Sequence, residues 1–193
     1  IFSQTSLEIC EGQQYDMDFE TQQKVGIDEY IMMIRKKTAV MFAGCLKAGS
    51  ILMSADEPTQ QALYDLGIHL GLAFQLADDL LDVYATSPAF GKTIGGDIRD
   101  NKKTYLYLKA LEWANPEQKQ VLVEEFASPT VDFEKKYKTV RDIYDMLHIK
   151  EHTEEQVQYY SNLAMEDLRK VKVDETRKQQ LNELINSLIK RSK

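Results

Sequence analysis

A chain of 193 residues, 43% hydrophobic and 28% charged, is long enough for one globular domain with a real core. Its formal charge of −7 leaves no broad basic face for general nucleic-acid binding, although a local cluster of cations could still hold a phosphate. Cys10 and Cys45 are too few for a disulfide framework and lack metal-ligand spacing, and no apolar run approaches the roughly 18–20 residues of a membrane span. No signal peptide pattern is read. The expected setting is cytoplasmic, with no nucleic acid and no integral membrane segment.

In chain order, Thr5 to Gly12 reads as the end of a helix, with Gly12 as its punctuation and the polar run Gln13–Asp18 beyond it. The sequence opens at Ile1 as though already inside a helix, and the expectation is the later part of a longer protein. Ile27 to Ser54 is a long helical stretch with Tyr30, Ile31, Ile34, Thr38, Met41, Phe42 and Cys45 at spacings of three and four, broken by Lys37-Thr38. These aromatics and methionines read as core. Asp56-Glu57-Pro58 starts the next helix, and Leu63, Leu66, Leu70, Phe74, Ala77 and Leu81 form its stripe down to a stop near Thr86-Ser87-Pro88. Gly67 and Gly71 make a smooth strip for close helix contact on it, while His69 reads as a packed or surface histidine.

Phe90 to Lys103 reads as a glycine-rich loop carrying Lys92, Arg99, Lys102 and Lys103. Gly91-Lys92-Thr93 is no P-loop end, because position 86 is threonine where a glycine is needed. Five further helices are expected at Tyr105–Ala114, Pro116–Ala127, Val131–His148, Glu154–Val171 and Asp174–Ile189. No strand is read, and the fold class is all-α.

The chemistry centres on Asp78, Asp79 and Asp82. On a helix, Asp78 and Asp82 stand one turn apart on one face, where they repel unless a cation lies between them. Oxygen-only ligands with open positions suit Mg²⁺, which binds through one or two carboxylates plus substrate phosphates. The lysines that follow supply further charge for a diphosphate.

Phe74-Gln75-Leu76-Ala77-Asp78-Asp79-Leu80-Leu81-Asp82, with Gly91-Lys92 and Gly96-Asp97-Ile98-Arg99, resembles the second aspartate-rich region of the trans-prenyl diphosphate synthases, the farnesyl, geranylgeranyl and longer-chain polyprenyl enzymes. Glu8, Glu11, Gly12, Gln13 and Asp16 resemble the family's E-x-x-E-G-Q-x-x-D segment, and Lys37-Thr38-Ala39 its K-T-A. The resemblance implies an isoprenoid-synthase-type helical bundle, here without its N-terminal helices. It implies condensation of isopentenyl diphosphate with an allylic diphosphate through a carbocation, assisted by Mg²⁺ with Mn²⁺ as a substitute. Asp78 and Asp82, with Asp79 and Asp16, would serve the metal; Lys37, Lys92 and Lys102 would hold the diphosphate. Thr38, Gln75 and Gln13 would face the cation. A homodimer is the implied assembly.

The family's first D-D-x-x-D and its isopentenyl diphosphate site have no counterpart in this sequence, so the chain alone is expected to be inactive. The alternative is a non-catalytic, synthase-like subunit that acts as a heterodimer partner. A class I terpene cyclase ranks last, because its N/D-x-x-S/T-x-x-x-E arrangement is absent near Asp78.

Overall fold

The computed structural model describes residues 1–85, 94–127 and 132–189, with residues 188 and 189 described by backbone alone. The elements are α1 (Phe2–Thr21), α2 (Ile27–Ile34), a π-helical turn (Arg35–Ala39), α3 (Val40–Leu52), α4 (Glu57–Tyr84), α5 (Gly96–Arg99), α6 (Tyr105–Trp113), α7 (Pro116–Ala127), α8 (Phe133–Met146), α9 (Ile149–Lys170) and α10 (Glu175–Ile189). Among the described residues there is no strand, and no helix is long and apolar enough to cross a membrane.

The axis of the bundle is α4, whose 28 residues run about 42 Å at the usual helical rise. Asp56 caps it, its carboxylate accepting from the Thr59 N–H at 3.0 Å, and Pro58 fits in the first turn, where no intrahelical donor is needed. Buried side chains on several faces, among them Leu66, Leu72, Leu76, Leu80 and Val83, mark it as a central helix. It packs against α3 and the π turn on one side and α9 on the other. His69 and the buried Asp167, 2.7 Å apart, tie α4 to α9.

Two glycines let α4 come close to its neighbour. A Cβ at Gly71 would lie 2.4 Å from the Ala39 Cα, and one at Gly67 2.4 Å from the Ala43 Cα. Side chains as small as alanine on the facing helix complete this smooth contact. A hydrophobic cluster around Ile34, Leu76, Leu106, Val140 and Ile149 fills the centre. A smaller cluster of Leu66, Leu70, Ala164, Leu168 and Ile185 docks α10.

The structure departs from the sequence expectation in three places that matter for the site. Gly12 does not end α1; the helix continues to Thr21, and Gly12 is glycine because a Cβ there would lie 2.3 Å from the Lys37 backbone N. The stretch expected as one helix from Ile27 to Ser54 is interrupted by the π turn, where the Val40 N–H reaches back five residues to the Arg35 carbonyl. In the expected loop, residues 96–99 form the short helix α5. Helix α9 also starts at Ile149, earlier than Glu154, because Ile149 and Thr153 are buried and His148 (φ 54°) makes the turn before it.

Candidate active site

A cleft of about 260 Å³ lies at the C-terminal end of α4, walled by α1, α2, the π turn and the α5 segment. From α4 it receives Gln75, Asp78, Asp79 and Asp82, which recur on successive turns. Phe19, Met33 and Ile34 give it apolar walls, and Lys37, Lys102 and Asp16 reach it from other elements.

The adjacent acids have unlike surroundings. Asp79 is 3% exposed. The Tyr30 hydroxyl donates to its Oδ2, and the Gln75 amide nitrogen donates to its Oδ1 at 3.1 Å. Loss of water is the largest influence on this carboxyl; against the counter-pull of the Tyr30 bond, and helped by the nearby Asp97 and Asp78 charges, it moves the pKa up to about 7. Asp78 and Asp82 are only half-buried and stand at the rim. Asp79 thus sits behind the other two, with both oxygens engaged in fixing its neighbours.

Those neighbours form a chain of polar contacts. Thr38 Oγ1 donates to Gln75 Oε1 at 2.9 Å, so the Gln75 amide is held at both ends, by Thr38 and by Asp79. Tyr30 closes the chain from α2 and is fully buried; burial first, then the Asp79 charge and hydrogen bond, pushes its pKa well above the ordinary phenol value. Its hydroxyl is therefore a standing donor. Sequence reasoning missed Tyr30, because an aromatic on an apolar stripe reads as core, and only the position of Asp79 reveals its second task. Tyr30→Phe, which removes the donor alone, is expected to cost about 1–3 kcal/mol, the usual penalty for a buried carboxyl left short of a partner. A urea midpoint equal to that of the unsubstituted protein would sink this account.

Lys37 and Lys102 in the cleft are each paired with an acid. Lys37 Nζ lies 2.5 Å from Asp16 Oδ2, joining the π turn to α1. Lys36 and Arg35 meet Glu11 and Glu8 farther along α1, at 2.7 and 3.7 Å. Lys102 Nζ is 2.8 Å from Asp97 Oδ1; burial works against its ammonium, but the Asp97 bond and charge more than offset that, and its pKa is raised. Lys103 donates to the Phe19 and Gln22 carbonyls at the end of α1.

Asp82 also anchors the segment that carries these lysines. Its backbone carbonyl accepts from the Gly95 N–H at 2.6 Å, and its Oδ2 from the Asp97 N–H at 2.9 Å. Gly95 has φ 77°, a left-handed turn that glycine enters without strain. Ile98, 2% exposed, pins α5 to the core.

Of the residues named from sequence, Asp16, Lys37, Gln75, Asp78, Asp79, Asp82 and Lys102 line the cleft, and Thr38 reaches it through Gln75. Gln13 is exposed on α1 and does not line the cleft; its neighbour Gly12 faces the π turn, and the next helical residue points about 100° away. Lys92 lies outside the described residues. Among the described residues no three acid, histidine or cysteine side chains are grouped tightly enough to hold a metal unaided. Two rim carboxylates one turn apart, with cations beside them, instead fit a hard divalent ion that shares its coordination with phosphate oxygens.

The chain is thus an all-helical bundle whose central helix ends in acids that share a cleft with lysines. The chain belongs to the polyprenyl synthetase family, whose model matches residues 1–147. It is 34% identical to a geranylgeranyl diphosphate synthase of Saccharolobus solfataricus over 98% of this chain and 57% of that protein. A solved geranylgeranyl pyrophosphate synthase superposes with a TM-score of 0.91 at 40% identity, covering 97% of this chain and 58% of its own. A geranylgeranyl pyrophosphate synthase from Corynebacterium glutamicum, solved with isoprenyl diphosphate and magnesium, superposes at 0.89 with 26% identity, over 97% of this chain and 53% of that one. The chain thus spans a little over half the length of these relatives.

Proposed function

We propose that this chain serves prenyl transfer, the joining of isopentenyl diphosphate to an allylic diphosphate, with Mg²⁺ (or Mn²⁺) held at Asp78 and Asp82. The observation that carries this reading is the face of α4, where the clamped Gln75 amide lies one turn inside the rim acids. Diphosphate departure needs negative charge neutralised at the rim, and Lys37 and Lys102 stand there as donors. The metal, when bound, would add Lewis-acid neutralisation of the leaving diphosphate. Below the rim, Phe19, Met33 and Ile34 exclude water that would quench a carbocation. The Gln75 and Thr38 oxygens offer that cation dipoles without being strong bases, while Asp79, engaged with Tyr30 and Gln75, is kept from attacking it.

The sequence has a single D-D-x-x-D, so we expect the 193-residue chain alone to bind magnesium pyrophosphate and to form no prenyl product. The test pairs two measurements: calorimetric titration with pyrophosphate, with and without Mg²⁺, and incubation with labelled isopentenyl diphosphate and dimethylallyl, geranyl or farnesyl diphosphate. Absence of magnesium-dependent pyrophosphate binding overturns the site assignment. Product from the chain alone overturns the need for a second acidic motif. Product that appears only on mixing with a different synthase-family chain would favour the heterodimer-partner reading over a homodimer.

A further inference from the structure

A buried lysine on α8, outside the cleft, stands at the exit of the segment that delivers Lys102. Lys136 is 3% exposed, unusual for an ammonium, which normally keeps its head in water. Its Nζ donates to Asn101 Oδ1 and lies 5.3 Å from the centre of the Phe126 ring of α7. Loss of water depresses its pKa, and the Glu125 and Asp100 charges oppose that effect. Burying a charge is costly unless a specific contact compensates. One of the contacts of Lys136 is with a backbone-critical residue, Asn101.

Asn101 has φ 58°, the left-handed conformation that asparagine tolerates better than most residues. It ends α5 in a Schellman arrangement. The Asn101 N–H bonds the Ile98 carbonyl at 3.3 Å, and the Lys102 N–H reaches back to the Asp97 carbonyl at 2.9 Å. The residue after this turn is Lys102, whose Nζ comes back over the cleft to Asp97 Oδ1. A four-residue helix cannot hold its own end, because so short a run has too few internal bonds to be stable. Asp82 and Ile98 hold its start and middle, and the side chain of the turn residue at its end is held from α8.

We infer that Lys136 is a positioning residue for diphosphate binding: by holding the Asn101 side chain it fixes the left-handed turn that aims Lys102 into the cleft. The inference rests on the reading of the cleft as a magnesium–diphosphate site. Lys136 touches no substrate. Its effect passes through Asn101 to the direction in which the chain leaves α5.

The test uses the whole chain with magnesium pyrophosphate as probe, and amide hydrogen exchange without any ligand. Lys136→Met is expected to speed exchange at the Asn101 and Lys102 amides and to weaken pyrophosphate binding about tenfold. Lys136→Arg, which keeps a charged donor, should restore most of both. Lys102→Ala should weaken binding to a similar extent, and the double variant Lys136→Met/Lys102→Ala should be no worse than Lys102→Ala alone, the signature of two residues acting through one contact. Additive losses, or unchanged exchange at the two amides, overturn the inference. Should Lys136→Met fail to fold, Asn101→Gly removes the acceptor while keeping the turn accessible. The same tenfold loss is then expected, and unchanged affinity overturns the inference. A protein of unaltered sequence that does not bind magnesium pyrophosphate overturns the site reading, an outcome the ligand-free exchange data keep distinct from failure of the tether.

Discussion

Replacing Asp78 by alanine is expected to weaken magnesium-dependent pyrophosphate binding by about 10²-fold, corresponding to about 3 kcal/mol, while leaving metal-free binding nearly unchanged. The carboxylate is half-buried at the rim, one helical turn from Asp82 and in the same cleft as Lys37 and Lys102. Asp82, one of whose oxygens already accepts from the Asp97 N–H and holds α5 in place, would be left as a single carboxylate for the ion. The loss should therefore appear as an affinity that no longer responds to Mg²⁺, read by calorimetry across a magnesium titration. The neighbouring acid should behave differently. Asp79→Ala leaves the buried Tyr30 hydroxyl and one Gln75 contact unsatisfied, and its largest effect should be on the unfolding midpoint, about 3 kcal/mol from two orphaned polar groups. Should Asp79→Ala prove as stable as the parent and Asp78→Ala prove the less stable of the two, the division of labour between these acids is wrong.

Gly71→Val should be the most damaging single change in the scaffold. The added Cβ would lie 2.4 Å from the Ala39 Cα and 2.7 Å from the Ala39 Cβ, and backbone cannot step aside as a flexible side chain can. Overpacking of this kind costs about 3 kcal/mol or more. Part of any relief must come from separating α4 and the π turn, one helical turn from Gln75. Thr38 and Gln75 would then drift beyond their 2.9 Å contact. Denaturant unfolding would show the lost stability. A variant as stable as the parent would show that the two backbones are not tightly engaged there.

Much of this arrangement is legible from sequence where one residue type has one physical meaning. Asp56 with Pro58 announces the start of α4, the Leu66–Leu70–Ala77–Leu81 spacing its course, and the acids in apolar surroundings the end that lines the cleft. Gly67 and Gly71 read correctly as a strip for close contact, because four-residue spacing on a helix has little other use. Legibility fails where meaning depends on a partner far along the chain. Gly12 looks like a helix stop, and only the Lys37 backbone beside it shows why a helix interior needs glycine there. Asp78 and Asp79 are indistinguishable as letters; the Tyr30 hydroxyl, 49 positions earlier, separates them. Lys136 lies in a run of lysines and gives no sign of burial until Asn101 and Phe126 close on it. The π turn is equally silent, since Arg35–Ala39 is an unremarkable set of helix formers.

That turn sets the angular phase of everything before it. In an uninterrupted α-helix, Tyr30 and Thr38 would be about 800° apart, some 80° beyond two full revolutions. One surplus residue absorbed in a wider turn takes back about 100°, and the two side chains return to nearly the same azimuth. This is how one continuous rod addresses both Asp79 and Gln75 on α4. Deleting a single residue such as Lys36 would rebuild a regular helix with seven steps, about 700°, between Tyr30 and Thr38, so Tyr30 should still face Asp79. The surplus residue is thus accommodated without turning either end of the rod away from α4.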